Sequence, residues 1–233
     1  DHALTRPPTA EMASYWWRDG ARMRFYVRVK NLAGKSLYWA NGATVHAIAY
    51  ENARVVLTGR YVRDARHAGV EALSPGGTDT FTLASAELQG VDWTKMAGVT
   101  LLDYRPDGWD KAYDTAQAAL AQRVDAPFAA NPKTVALLVD PADETMPAAH
   151  VHFSGIPGLE WTAHTYVTWL EINPLSGSTG ARSTLTPAKE SLSPGRQSTE
   201  VVYTTAKGEF TQAVRVEVYY GPVSRVHLPV IMR

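Results

Sequence analysis

From Met23 to Lys30 apolar and polar side chains alternate without a break. Met23, Phe25, Val27 and Val29 stand against Arg24, Tyr26, Arg28 and Lys30. A period of two belongs to a β-strand with one face on a core, because successive side chains leave the backbone on opposite sides. The register is forced. A slip of one residue would bury Arg22, Arg24, Arg28 and Lys30. An uncompensated buried charge costs about 3–5 kcal/mol, and a whole domain holds only roughly 5–15. Phe25, Val27 and Val29 therefore face a core, and the basic ladder faces outward. Val214, Val216 and Val218 alternate with Arg215 and Glu217 in the same way. The segments 44–50 and 166–172 are apolar on both faces, as central sandwich strands are. Pro229 lies in the apolar run 226–232, which predicts an edge strand there.

The chain matches itself. Leu37 and Trp39 recur as Leu159 and Trp161, 122 positions on, with Val45 facing Val167 and Ile48 facing Leu170. Leu73-Ser74-Pro75-Gly76 recurs as Leu192-Ser193-Pro194-Gly195 after 119 positions, with Thr80 facing Thr199. The β-rich runs 99–104 and 214–220 then close the two halves. These matches predict a duplication: an all-β chain of two sandwiches, at 20–108 and 134–233, with Trp39 and Trp161 at equivalent buried sites. Two segments depart from strand periodicity. Trp109, Tyr113, Ala116 and Leu120 form one helical stripe, which predicts a helix over 109–124 within a bridge and linker spanning 109–133. Residues 1–19 read as an N-terminal segment, with a short helix at 10–17.

A length of 233 residues suits two cores better than one. Lys+Arg and Asp+Glu balance at 23 each, so no net field draws the chain to nucleic acid. Cysteine is absent, which excludes disulfides, thiolate metal sites and a cysteine nucleophile. No run approaches the roughly 20 apolar residues of a transmembrane helix.

The strand Phe25 to Asn31 with its Val29-Lys30-Asn31 ending, the central strand Thr44 to Tyr50, and the turn Leu73-Ser74-Pro75-Gly76 leading into Thr80-Phe81-Thr82-Leu83 together resemble a known pattern. It is that of the tandem immunoglobulin-like and fibronectin-type-III-like accessory domains of bacterial surface proteins and lipoproteins. The second half keeps the turn and central strand but replaces the asparagine ending with Val151-His152-Phe153. The resemblance implies two tandem immunoglobulin-like β-sandwiches and a role in adhesion, spacing or assembly. It implies no catalytic residues. It also implies export to the periplasm or cell exterior, any signal peptide having been removed ahead of Asp1.

Three residue groups are candidate sites. Arg24, Tyr26, Arg28 and Lys30 form a basic ladder that can grip carboxylates or acidic polysaccharide; the alternative is an edge strand charged against sheet-to-sheet pairing. Trp16 and Trp17 have no counterpart in the other half and are candidate contacts for a partner or a sugar. His150 and His152, at i and i+2 on one strand, share a face and can chelate zinc or copper, with His164 as a possible third ligand. No nucleophile elbow, phosphate loop or H-E-x-x-H occurs. The expectation is an exported, non-enzymatic structural or interaction protein without a cofactor, engaging a protein partner or its own copies. A carbohydrate-binding module and a metal-binding protein are the alternatives.

Overall fold

The computed structural model describes residues 9–38, 40, 42–52, 59–105 and 114–222. The chain is all-β and divides into two compact units, Asp1–Asp125 and Ala126–Arg233. Trp39, Trp109, Tyr113 and the run 226–232 lie outside the described residues.

The first unit is built from β1 (Ala10–Asp19), β2 (Arg22–Asn31), β3 (Thr44–Glu51), β4 (Tyr61–Gly69), β5 (Thr78–Ala84), β6 (Met96–Tyr104) and β7 (Asp114–Arg123). They form one sheet in the order β4-β3-β6-β7-β1-β2-β5. The alternation of β2 sets its inner face: Met23, Phe25, Val27 and Val29 are fully buried with Val45, Ala47 and Ala49 of β3. The sheet curls, because β6 and β2 are not neighbours in it yet meet across the core. A β-carbon on Gly98 of β6 would lie 2.5 Å from a ring carbon of Phe25. Closure depends on β1. It runs antiparallel to β2 along its whole length and then pairs parallel with β7 at Tyr15–Gln122 and Trp16–Arg123.

The Asn31 ending of β2 is a staple. Its side chain is wholly buried, and its amide donates to the carbonyls of Lys35 and Leu73, both at 2.9 Å. Its carbonyl accepts from the Ala33 N–H at 2.9 Å. The Gly76 N–H donates to the Asn31 backbone carbonyl at 2.8 Å. The asparagine and the Pro75-Gly76 turn are thus two halves of one hydrogen-bonded corner.

Glu51, buried at the end of β3, accepts from the Arg63 Nε at 2.8 Å and from the Asp92 N–H at 3.2 Å. The Arg63 guanidinium holds the Glu51 carboxyl below the usual glutamate range, against the opposing pull of burial. In the second unit Arg196, followed by Arg215, does the same for Glu217. A carboxyl whose folded pKa is depressed contributes stability above its unfolded value of about 4.3 and loses it as pH falls through the folded value. Thermal melts should therefore hold level from neutral pH to about 5 and fall below about 4. Glu51→Gln should lower the neutral-pH melting temperature and flatten that acid limb for the first unit. An unchanged limb would mean that Glu51 is not a source of it.

The second unit packs two sheets face to face. One is β12-β14-β10-β8, from β8 (Phe128–Asn131), β10 (Ala149–Gly155), β12 (Leu170–Asn173) and β14 (Arg182–Pro187). The other is β13-β11-β15-β16-β9, from β9 (Thr134–Val139), β11 (Glu160–His164), β13 (Ser176–Ser178), β15 (Gly195–Thr205) and β16 (Thr211–Tyr220). Phe153 of β10 joins them. Its ring stacks on Phe128 at 5.6 Å and meets Trp161 of β11 at 4.3 Å and Tyr203 of β15 at 4.7 Å. Burial pushes the Tyr203 phenol up.

The pairing scheme of the first unit recurs in the second. β3 lies between β6 and β4 as β11 lies between β15 and β13, and β2 pairs with β5 as β10 pairs with β14. The parallel β1–β7 pairing returns as β9–β16. The matches at 119–122 positions are one strand out of phase with this recurrence. They set β3 against β12, β5 against β15 and β6 against β16, strands with different partners. Leu-Ser-Pro-Gly and alternating valines report turn chemistry and half-burial, which any antiparallel sheet reuses.

Three further expectations are corrected. Residues 114–123, expected within a bridging helix, are strand β7, and 10–17, expected as a short helix, belong to β1. Ala116 and Ala121 of β7 pack on the core while Leu120 is 69% exposed, so Ala116 and Leu120, expected on one helical stripe, do not share a buried face. β2 is an interior strand between β1 and β5, so its charges do not guard a sheet edge.

Candidate functional site

The outer face of β1, β2 and β5 carries the basic ladder, and the structure divides it. Arg24 is taken by Asp19, whose Oδ2 lies 2.8 Å from its Nε across the β1–β2 turn. Tyr26 points outward but is buried, beside Tyr15 of β1, its cross-strand partner. Trp16 and Trp17 are buried as well, at 2% and 6% exposure. Trp16 faces the core, with the Arg123 guanidinium 5.3 Å from its ring. Adjacent strand residues point to opposite faces, and here both faces are covered at that point. Trp16, Trp17 and Tyr26, read from the sequence as candidate contact residues, are buried in packing here.

Arg28 and Lys30 remain. Both are exposed, and among the described residues neither takes an ion-pair or hydrogen-bond partner. They line a depression of ≈ 280 Å³ with Glu11, Ala13 and Thr78. The register explains the hollow: Arg28 sits opposite Ala13 of β1, and Lys30 sits between Glu11 and Thr78. Small neighbours leave space between two long cationic side chains that stand ~7 Å apart along the strand. An oxyanion in that space meets a guanidinium fork and an ammonium.

His150 and His152 do share an exposed face of β10. The Nδ1 of His150 lies 3.1 Å from the Thr184 hydroxyl, and His152 is paired across the strand with Arg182. His164 belongs to the other sheet, its ring edge-on to Tyr166 at 4.5 Å. Among the described residues no group of three or more His, Asp or Glu side chains stands where it could hold a metal ion. A second concavity of ≈ 570 Å³ is lined by His164, Glu171, Asn173 and Leu175. Tyr166, next in sequence to its Thr165 wall, is 87% exposed.

No protein-family model and no curated protein sequence matches the chain. Solved structures with partial likeness include red sea bream transglutaminase, with 13% identity over 94% of this chain and a TM-score of 0.31. The sporulation control protein Spo0M from Bacillus subtilis aligns with 89% of this chain and 89% of its own at 11% identity and a TM-score of 0.32. A titin tandem aligns with 92% of this chain and 66% of its own at 8% identity and a TM-score of 0.33. The chain spans 32% of the transglutaminase's length. At these scores none of the three bears on ligand, partner or reaction. Among the described residues no helix is long and apolar enough to cross a membrane.

Proposed function

We propose that the chain is a non-enzymatic interaction protein of two tandem immunoglobulin-like β-sandwiches, exported from a bacterial cell, that engages an anionic group on a protein partner through Arg28 and Lys30. The recurrence of one strand-pairing scheme in both units supports the tandem reading. The observation that carries the binding role is the pair of outward cations without partners among the described residues, set in a hollow they share with Glu11, Ala13 and Thr78. Export and a place in a cell-surface assembly follow from the resemblance of the strand and turn motifs. Arg28→Glu with Lys30→Glu should abolish partner capture from a native envelope extract while leaving the melting temperature nearly unchanged, because exposed substitutions move stability by about 0.5 kcal/mol or less. Full retention of capture would remove these residues from the site.

A carbohydrate-binding role is favoured by one specific observation, the exposed Tyr166 beside a concavity holding His164, Glu171 and Asn173. Aromatic faces stack on sugar rings, and polar groups read the hydroxyls. A glycan array with Tyr166→Ala separates the readings. Glycan binding lost in that variant and kept in the Arg28/Lys30 variant would select the carbohydrate role.

A further inference from the structure

We propose that β9 is a self-association edge, and that two copies of the chain join antiparallel along it into one continuous sheet. Among the described residues six strands end the three sheets, and five of them carry a device that discourages pairing with another chain. β4 bears Arg63, Asp64 and Arg66 and a register shift against β3. On β5 the Asp79 carboxylate already takes the Thr80 N–H at 2.8 Å. β8 and β12 have four residues each, β8 flanked by Pro127 and Pro132 and β12 followed by Pro174. β13 has three residues. β9 has none of these. Its six residues, Thr134–Val139, include no charge, no proline and no bulge.

The free groups of that edge follow from its phase. The Arg215 N–H donates to the Lys133 carbonyl and the Gly221 N–H to the Val139 carbonyl, so the odd-numbered backbone groups of β9 face β16. Thr134, Ala136 and Leu138 therefore turn their N–H and C=O groups to the open side, and their side chains stand on the exposed face. Leu138 is 63% exposed beside Tyr219 of β16, itself 44% exposed.

The occupant is a second copy because the edge complements itself. A twofold axis beside Ala136 sets it opposite Ala136 of the other copy, and Thr134 opposite Leu138, giving about six backbone hydrogen bonds. Each Leu138, backed by Tyr219, then packs beside the other copy's Thr134. The charges agree with this arrangement. Behind Ala136 stands Glu217, already held by Arg196 at 2.6 Å and by Arg215 at 2.8 Å. Across the seam the two Glu217 side chains lie three strand spacings apart, about 14 Å, beyond the screening length of about 8 Å at physiological salt. The pairing uses up both edges, so assembly stops at the dimer.

The test is sedimentation velocity of the untagged full chain over a range of concentrations, because so small a contact gives a dimer that fills with concentration. We expect a monomer–dimer equilibrium with no larger species. Ala136→Pro removes a donor only from the open side, where an edge strand tolerates proline. Leu138→Lys adds the kind of charge that guards other edges. The twofold doubles each loss, so each variant should weaken the dimer roughly tenfold or more, while circular dichroism shows retained strand content. Leu120→Lys, at a comparably exposed leucine of β7, should dimerise as the parent does. A monomer at every concentration, growth past the dimer, a dimer that survives both β9 variants, or one lost in Leu120→Lys alone would each overturn the assignment.

Discussion

Trp161→Ala should lower the stability of the second unit by about 3–5 kcal/mol, the range for truncating a buried large aromatic. Trp161 is 1% exposed and touches both Phe153 and Tyr203, so its loss opens a cavity where the two sheets meet. Gly177 cannot move in to fill the space, since it is fixed by its pairing with Trp161 at the sheet edge. Trp161→Phe should cost far less. The indole N–H has no acceptor, so phenylalanine forfeits volume and no hydrogen bond. Hydrogen exchange resolved by peptide is the measurement. Amides in β10, β11 and β15 should lose protection in the alanine variant while those of the first unit keep theirs. Equal damage from both substitutions would show that the indole nitrogen matters, contrary to this account. Loss of protection in β2 and β6 would show that the two units unfold as one.

Asn31→Ala should cost the first unit about 2–3 kcal/mol, because it deletes three hydrogen bonds worth about 0.5–1.5 kcal/mol each. The bonds lost are those to the Lys35 and Leu73 carbonyls and from the Ala33 N–H, the Leu73 carbonyl keeping the Leu37 N–H at 3.0 Å. Asn31→Asp is the sharper probe. It preserves shape but sets a carboxylate against the two carbonyls that now accept from the amide, so it should be at least as damaging as alanine. Urea unfolding of the first unit measures both. An aspartate variant as stable as the parent would mean that side-chain volume, rather than the amide's donors, holds the corner.

The parts of this fold legible in the sequence are those where one residue's environment decides its face. The β2 alternation placed Phe25, Val27 and Val29 in the core and Arg28 and Lys30 outside, because the cost of burying charge leaves one register. Alternation reports a face and not what covers it, so the burial of Tyr26 and Trp17 on the outer side was not readable. The stripe from Trp109 to Leu120 misled for a related reason. Alanine and glutamine favour helix intrinsically, but β7 fills a slot between β6 and β1, and tertiary pairing overrides local preference. The capture of Arg24 by Asp19 was within reach, since the two flank a Gly20 turn.

The parallel seams between β1 and β7, and between β9 and β16, bear on when each unit can form. Tyr15 waits for Gln122, and Thr134 waits for Arg215. Closing so long a loop forfeits chain entropy before any contact repays it, and folds dominated by such distant pairings form slowly. During synthesis β1 can zip onto β2 early, yet its other side stays open until the last strand of its unit has emerged. A chain stopped short of β7 or β16 would therefore present an unsealed strand, a template for a neighbouring nascent chain. Each parallel seam closes only when β7 or β16 arrives.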